Sequence, residues 1–248
     1  MADFHNYDLH YSRMGNDPTD YKSISINIDH YICHEAWLPE DKEISILDVG
    51  CGWGTLLLRL WATGYRHLTG VDISQGQCDI AKKRLPPDIT VYCGNAIEFL
   101  KKNVECYDLI TILDVIEHLS VDNAIELLQN CNLALRENGM IVVKVPNMAN
   151  ILSNYSRYLD ITHLTGYTEW SLFQLLDCGG FHQHEVIKPP FGSFEIWKRT
   201  RSWKAPWAGL GFREALNSWV HHIFYALRGM RPKPTVFSGN LTIRSFRK

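Results

Sequence analysis

Short apolar runs recur along the middle of the chain, and most are followed by a polar turn and a segment whose apolar residues have helical spacing. The runs predict strands over Ile44–Val49, His67–Asp72, Ile89–Cys93, Tyr107–Leu113 and Met140–Val145. The intervening segments predict helices over Leu56–Trp61, Gln75–Leu85 and Val121–Leu135, the last ended by Asn138 and Gly139. Strands that alternate with helices are typical of βαβ units, so we expect a doubly wound parallel sheet.

The two ends of the chain break this alternation. The first 43 residues are polar, aromatic-rich and weakly periodic, and we expect short helices there, one over Tyr21–Trp37. After the fifth strand, the pattern predicts a helix over Thr168–Leu176 capped by Thr168, and strands over Phe181–Ile187 and Pro234–Phe246. Between those strands, Phe212–Leu227 has apolar residues at steps of three and four, which predicts an amphipathic helix.

The length of 248 residues suits one α/β domain with a large core. We divide it into an N-terminal helical cap (1–43), an α/β core (44–187), a basic and aromatic helical insertion (188–233) and a closing strand (234–248). Hydrophobic residues make up 46% and charged residues 21%, as in ordinary globular proteins. No apolar run reaches the roughly 20 residues of a membrane span, and no signal-peptide pattern occurs, so we expect a cytoplasmic protein.

Charge and cysteine content narrow the classes further. Seven cysteines, an odd number without a CxxC pair, argue against a disulfide framework or a structural zinc site. Residues 180–248 hold twelve Lys or Arg against three Asp or Glu, whereas the rest of the chain is acidic. Such a basic tail faces an anionic partner or is simply a solvated face, and the sequence leaves both interpretations open.

Four motifs that are able to bind a ligand or take part in catalysis each follow a predicted strand. Asp48–Gly54 (DVGCGWG) follows the first strand, and its glycines let the backbone turn sharply and approach a ligand. Asp72 ends the second strand, where a carboxylate can accept hydrogen bonds from two ribose hydroxyls. Gly94–Ala96 (GNA) follows the third strand and Asp114–Leu119 (DVIEHL) the fourth. Ligands of parallel sheets bind beyond the carboxyl ends of the strands, so we expect one site there.

In this order and spacing, the motifs resemble those of class I S-adenosylmethionine-dependent methyltransferases, over roughly residues 44–187. The resemblance implies a Rossmann-like sheet of seven strands, mostly parallel with the last antiparallel, and S-adenosylmethionine as cofactor. Gly50, Gly52 and Gly54 would line its methionine part, and Asp72 would hold the ribose. Asn95 would touch the adenine, which Ile73 and Ile97 would sandwich. The expected cofactor-binding residues are Asp48, Gly50, Cys51, Gly52, Trp53, Gly54, Asp72, Ile73, Asn95, Ala96 and Leu113.

A second resemblance lies beyond the fifth strand. Asp160–Thr168 (DITHLTGYT), Cys178–Phe181 (CGGF) and the closing Pro234–Ile243 are similar to segments of methyltransferases encoded with bacterial surface-polysaccharide and related small-molecule pathways. This resemblance implies O-methylation of a sugar, sugar phosphate or glycan end. It is a weaker signal than the cofactor motifs.

Two histidines are placed to act on an acceptor hydroxyl. His118 follows the fourth strand and His163 follows the fifth, and a neutral imidazole is a suitable general base near pH 7. The alternative for each is a histidine that only organises the pocket.

A metal site is a further hypothesis for the same region. Asp114, Glu117 and His118 stand at i, i+3 and i+4, so a helical turn would place them on one face. With His163 they would form a set suited to Mg²⁺ or Mn²⁺. Ubiquinone-pathway O-methyltransferases and small-RNA 2′-O-methyltransferases show a similar pattern with a divalent ion, but many relatives carry the Glu-His pair without metal, so the metal question stays open.

The sequence thus favours an O-methyltransferase for a sugar, sugar phosphate or glycan end, with an anionic acceptor facing the basic tail. The alternatives are a small-molecule O- or N-methyltransferase of lipid or quinone type, an RNA methyltransferase, and a catalytically silent cofactor-binding partner subunit. No RNA-binding module is recognisable, so nucleic acid is the least favoured partner. Residues 197–233 are a candidate for peripheral contact with the inner face of a membrane. The oligomeric state is left open.

Overall fold

A computed structural model describes residues 37–188 and 208–248. The helix predicted to begin at Tyr21 lies outside these ranges. The part of the predicted basic and aromatic insertion between residues 189 and 207 lies outside them as well. Within the ranges, no helix is both long and apolar enough to cross a membrane.

One mixed sheet organises the described residues. Its strands are β1 (Ser45–Val49), β2 (His67–Asp72), β3 (Thr90–Cys93), β4 (Tyr107–Leu113), β5 (Leu135–Pro146), β6 (Phe181–Val186) and β7 (Asn240–Arg247). The order across the sheet is β3-β2-β1-β4-β5-β7-β6. Strands β1 to β5 pair in parallel, and β7 runs antiparallel to both β5 and β6. The seven-stranded, mostly parallel Rossmann-like fold expected from the sequence is confirmed.

Helices follow the strands and cover the sheet. They are α1 (Thr55–Ala62), α2 (Gln75–Arg84), α3 (Ala96–Leu100), α4 (Val121–Ala134), α5 (Ser153–Leu159), α6 (Glu169–Cys178) and α7 (Ala208–Leu227), with a 3₁₀ turn at Ile116–His118. Thr168 caps α6 as predicted, and its hydroxyl accepts a hydrogen bond from the backbone N–H of Ser171. The sequence did not reveal α3 and α5, because five and seven residues are too few for a periodic signal.

Two predicted boundaries are wrong. Helix α4 ends at Ala134, one residue before the predicted Leu135, but Asn138 and Gly139 do not end it, because the chain passes directly into β5 at Leu135 rather than at the predicted Met140. Tyr107 of β4 pairs with Leu135, but Leu109 pairs with Met140, so the residues between bulge out of β5. Asn138 lies in this bulge with a φ of +61°, which means that its left-handed conformation serves the bulge rather than a helix cap. The last strand begins at Asn240 rather than at Pro234, because residues 234–239 make side-chain contacts instead of strand pairs.

The core has two layers because successive strand residues point to opposite faces of the sheet. On one face, Leu47 and Ile110 pack against buried leucines of α4 and α6. On the other face, Ile46 and Leu109 pack against α1 and α2. Each fully buried side chain of this size contributes about 1.5–3 kcal/mol. These two layers fix the carboxyl ends of β1, β2 and β4, where the sequence places the candidate chemistry.

Buried polar contacts attach the C-terminal segment to this core. The Glu169 carboxylate, only 3% exposed, accepts hydrogen bonds from the backbone N–H and the hydroxyl of Thr235, at 2.7 and 2.8 Å. Nδ2 of Asn147 donates to the carbonyls of Val236 and Ser238, both at 3.1 Å. The path from α7 into β7 is therefore held by side chains of α6 and of the segment after β5.

Replacing Glu169 with alanine should destabilise the fold. The change leaves the backbone N–H of Thr235 without its charged acceptor, which costs roughly 2–3 kcal/mol. Urea-induced unfolding followed by circular dichroism measures this loss. The matched control is Glu126→Ala, since Glu126 pairs only with the exposed Lys101 and should change stability by no more than about 0.5 kcal/mol. Equal stabilities of the two variants would show that the Glu169–Thr235 contact is dispensable.

Candidate active site

A cavity of about 270 Å³ opens at the carboxyl ends of β1, β2 and β4. Seven of the eleven predicted cofactor-binding residues line it, namely Gly50, Gly52, Asp72, Ile73, Asn95, Ala96 and Leu113. His118 also lines it. The structure therefore brings together, in one cavity, residues from all four motifs.

The glycine-rich loop after β1 depends on positive φ angles. Gly50 has a φ of +74°, and a Cβ at this position would lie 2.2 Å from Cγ2 of Val115. The backbone can pass the turn after β4 at this distance only because Gly50 has no side chain. The loop also presents the N–H of Gly52, which donates to Oδ2 of Asp72 at 2.8 Å.

Asp72 lies where the first and second motifs meet. Oδ2 accepts from Gly52, and Oδ1 accepts from the backbone N–H of Ser74 at 2.8 Å. These two bonds fix the carboxylate on the cavity wall. A carboxylate offers about four acceptor positions, so the same group is able to accept from ribose hydroxyls as well.

Asn95 caps a helix as well as lining the cavity. Its Oδ1 accepts from the backbone N–H groups of Ile97 and Glu98, at 2.8 and 3.2 Å, at the start of α3. The amide nitrogen Nδ2 is then the atom that can meet the edge of an adenine, and it can only donate. An aspartate at this position would only accept. The exposed Ile73 and the half-buried Ile97 supply apolar surface in the same cavity.

Four predicted cofactor residues, Asp48, Cys51, Trp53 and Gly54, lie outside the cavity lining. Asp48 is 3% exposed and accepts a hydrogen bond from the Thr111 hydroxyl at 2.8 Å. Burial raises the pKa of Asp48 to about 7; the nearby Asp72 adds to the rise, and the Thr111 bond opposes it. The Cys51 side chain is buried in the core layer beneath α1 and α2. These residues shape the loop from beneath it.

Gly54 is needed for packing rather than for lining. It precedes α1 with a φ of +74°, and a Cβ there would lie 2.5 Å from Cδ1 of Leu85. The start of α1 thus packs closely against the residue that ends α2.

The structure adds lining residues that sequence reasoning missed. They are Ser74 and Gln77 at the start of α2, Val115 and Leu119 beside the 3₁₀ turn, and Leu127 of α4. Val115 and Leu119 belong to the motif Asp114–Leu119 and Ser74 lies two residues after Asp72, so their positions were a usable signal. Leu127 is on the buried face of an amphipathic helix, where a lining residue cannot be distinguished from a core residue.

His118, His163 and Glu117 form a cluster beside the cofactor cavity. The ring centroids of the two histidines are 4.6 Å apart. Backbone bonds hold the loop that carries His163, since the N–H groups of Leu164 and Thr165 donate to the carbonyl of Glu117, at 2.8 and 3.1 Å. The two predicted histidines, 45 positions apart in sequence, are therefore neighbours.

The cluster is unusual electrostatically. Burial and, secondly, the nearby His163 lower the pKa of His118 from its ordinary value, so this imidazole is neutral at pH 7. Burial raises the pKa of Glu117 to about 8, and the nearby Asp114 adds to the rise. Both carboxyl oxygens of Glu117 are buried without a hydrogen-bond partner among the described residues. Such a group is stabilised by a proton or by a cation.

The residues present fit a divalent cation in part. One ligand atom each from Glu117, His118 and His163 lie within 4.8 Å of one another. The predicted fourth member, Asp114, does not join them, because its carboxylate forms an ion pair with the buried Lys144. The helical face assumed for Asp114 does not form either, since its φ is +55° and the 3₁₀ turn begins only at Ile116.

Comparisons with known proteins agree with this geometry. Residues 46–139 match the family model described as a methyltransferase domain. Ubiquinone biosynthesis O-methyltransferase of Coxiella burnetii is 29% identical over 163 residues, which cover 57% of this chain and 68% of that protein. N-terminal Xaa-Pro-Lys N-methyltransferase 1 of Danio rerio is 35% identical over 101 residues, covering 40% of this chain and 45% of that protein.

Solved structures show the same fold. A SAM-dependent methyltransferase from Archaeoglobus fulgidus superposes with a TM-score of 0.66 at 19% identity, covering 97% of this chain and 99% of that one. Phosphoethanolamine N-methyltransferase 2 of Haemonchus contortus, in complex with S-adenosyl-L-methionine, gives a TM-score of 0.62 at 15% identity, covering 100% of this chain and 60% of that one.

The chain therefore has the class I methyltransferase fold. It is an S-adenosylmethionine-dependent methyltransferase, and residues of the four motifs after β1 to β4 line the cavity in which we expect the cofactor.

Replacing Asp72 with alanine should weaken cofactor binding. Ribose hydroxyls lose a charged acceptor, and the Gly52 N–H loses its partner, so the affinity for S-adenosylhomocysteine should fall roughly 10- to 100-fold. Isothermal titration calorimetry gives the affinity. Asp79→Ala is the matched control, because Asp79 lies on the exposed side of α2, outside the cavity lining. An unchanged affinity in the Asp72 variant would exclude Asp72 from the ribose site.

Proposed function

We propose that the protein is an O-methyltransferase that acts on a hydroxyl group of a small, apolar acceptor of quinone-precursor type. The observation that carries the proposal is the half-buried, neutral His118 on the wall of the cofactor cavity, beside His163 and Glu117. The likeness to ubiquinone biosynthesis O-methyltransferase supports the acceptor class. None of the relatives reported above is named for a sugar, so the small-molecule alternative now takes precedence over the sugar or glycan hypothesis.

The residues of this chain have separable tasks in such a transfer. S-adenosylmethionine supplies, when bound, a methyl group on a positively charged sulfur. The acceptor oxygen forms a bond to the methyl carbon while the carbon–sulfur bond breaks and S-adenosylhomocysteine is released. His118 takes the hydroxyl proton, because a neutral imidazole has a lone pair for it. Val115 and Leu119 give the same cavity apolar walls that limit access of water.

A cation-assisted variant of the same function is the second candidate. The buried Glu117 carboxyl, without a hydrogen-bond partner among the described residues, favours it. Glu117, His118 and His163 would hold the ion, and Mg²⁺ or Mn²⁺ would lower the pKa of an acceptor hydroxyl. In that case His118 is a ligand and not the base, so the two variants exclude one another for this residue.

Replacing His118 with alanine should lower kcat about 100-fold or more, with S-adenosylhomocysteine affinity little changed. Turnover is measured as S-adenosylhomocysteine formation with a catechol as acceptor, before and after dialysis against a chelator. Activity that survives chelation supports His118 as base, whereas activity lost to the chelator and restored by Mg²⁺ or Mn²⁺ supports the cation. His67→Ala is the control, since His67 is exposed at the opposite end of β2. Normal turnover of the His118→Ala protein would contradict both the general-base mechanism and the cation-assisted mechanism.

An exposed apolar face beside the site suits an acceptor that resides in a membrane. On α7, Trp219, Phe224 and Leu227 are exposed, the last to 78%. On α5, Tyr155 is 74% exposed, and Ile161, just after the helix, is 94% exposed. The two helices that carry this surface lie beside one another, because Nε2 of His221 on α7 accepts from the backbone N–H of Ile151, just before α5, at 2.7 Å. We name this surface the α5–α7 face.

We propose that the α5–α7 face lies on the surface of a bilayer. Tyrosine and tryptophan side chains favour the interface between lipid and water, and nearby cations favour anionic lipids. Arg228, Arg231 and Lys233 follow α7 directly, and Arg157 lies on α5. The face leads to the loop that carries His163, so a membrane-borne acceptor would enter the cluster from this side.

Binding to anionic vesicles should therefore depend on this face. Trp219→Glu and Tyr155→Glu should each weaken co-sedimentation with phosphatidylglycerol vesicles by about tenfold, because each removes one apolar side chain from the contact. Val104→Glu is the control: Val104 is 54% exposed, but it precedes β4, at the end of the sheet away from the site. Equal sedimentation of all three variants and the wild type would show that the face does not bind lipid.

A further inference from the structure

A chain of hydrogen bonds runs from His118 through Thr162 to Asp160. Nδ1 of His118 lies 2.8 Å from Oγ1 of Thr162. That hydroxyl donates to Oδ1 of Asp160 at 2.7 Å, and the backbone N–H of Thr162 donates to the same oxygen at 2.8 Å. Asp160 is 8% exposed, so water does not readily replace these partners.

The direction of these bonds determines which nitrogen of His118 carries a proton. Oδ1 of Asp160 receives two donors, so it is an acceptor whatever the state of the other carboxyl oxygen. The single hydroxyl proton of Thr162 is used in that bond. Toward His118 the threonine oxygen can only accept, and Nδ1 must therefore carry the proton. In the neutral ring, the lone pair is then on Nε2.

The loop that carries Thr162 is hydrogen-bonded to the turn after β4. Leu164 and Thr165, just beyond Thr162, donate backbone bonds to the carbonyl of Glu117, the residue before His118. The Thr165 hydroxyl donates to the carbonyl of Leu119, the residue after His118, at 3.3 Å. The loop that carries Thr162 is thus bonded to the residues on both sides of the histidine.

We propose that Asp160 and Thr162 are positioning residues that hold His118 in the Nδ1–H tautomer, with Nε2 as the nitrogen that meets the acceptor proton or a cation. The inference rests on the proposed function for the use made of Nε2. It does not depend on which of the two variants of that function operates, because a general base and a metal ligand both need the same lone pair.

Nitrogen-15 NMR of the full-length protein labelled in histidine tests the tautomer directly. Long-range proton–nitrogen spectra should show a protonated Nδ1 and an unprotonated Nε2 for His118, assigned by loss of the signals in His118→Asn. In Thr162→Val the bond that selects this tautomer is gone, and the His118 signals should move toward a mixture. Thr162→Ser keeps the hydroxyl and should restore the wild-type spectrum.

Kinetics supply the second measurement. Thr162→Val should lower kcat about 10- to 100-fold with little change in acceptor KM or S-adenosylhomocysteine affinity, and Thr162→Ser should stay near wild type. Thr63→Val is the matched control, because its hydroxyl also donates to a backbone carbonyl, that of Leu60, at the end of α1 away from the site. It should leave the tautomer unchanged.

Two results would overturn the proposal: an Nε2–H tautomer in the wild type, or a Thr162→Val protein with an unchanged spectrum and unchanged kcat. If Thr162→Val does not fold, the wild-type spectrum alone decides. If the spectra follow the prediction while no hydroxyl acceptor is methylated, the positioning role stands and the proposed function fails.

Discussion

Parallel pairing of β1 with both β2 and β4 is the constraint on which the rest of the molecule depends. Because all three strands run in one direction, their carboxyl ends meet at the same edge of the sheet. The Gly50 loop directly follows β1, Asp72 is the last residue of β2, and the turn that carries His118 follows β4. The backbone of Gly50 approaches Val115 so closely that no other residue fits, which joins the cofactor loop to the acceptor side. Cofactor cavity and acceptor cluster are therefore two parts of one edge.

Two buried carboxyl groups lie near this edge of the sheet, and the unfavourable free energy of burying their charge is reflected in raised pKa values. Asp48 and Glu117 have pKa values raised to about 7 and about 8, in both cases mainly by burial. For a carboxyl whose pKa is higher in the folded than in the unfolded chain, the stability it contributes is complete at low pH and is lost as pH rises through the folded value. For Glu117 that loss falls between about pH 4.5 and pH 8. A cation beside this carboxylate would offset the loss, because it favours the ionised form.

Much of the fold, but less of the site, could be predicted from the sequence. The bounds of β2 and β4 agree with prediction because continuous apolar runs mark strands buried on both faces. Strand β5 begins at Leu135 rather than at Met140, because Asn138 lies in a bulge of that strand, a role that depends on pairing with β4. Motif positions located the cavity, but they did not show that Asp48 and Cys51 point beneath the loop. Thr162 lies 44 positions from His118, so only the folded chain shows that the two side chains meet. The sequence of Asp160–Thr168 led to the prediction of His163 as a candidate base and of a sugar as acceptor. In the structure, the side chain that bonds to His118 is Thr162, which in turn bonds to Asp160.

The main-chain carbonyl of Glu117 accepts the hydrogen bonds that hold the loop of Leu164 and Thr165, and its side chain faces the two histidines of the cluster. Main-chain bonds of this kind are available to nearly any residue, so the loop stays in place when the side chain at position 117 changes. Evolution can thus replace the acid, and with it any use of a cation, without having to rebuild the wall around the acceptor.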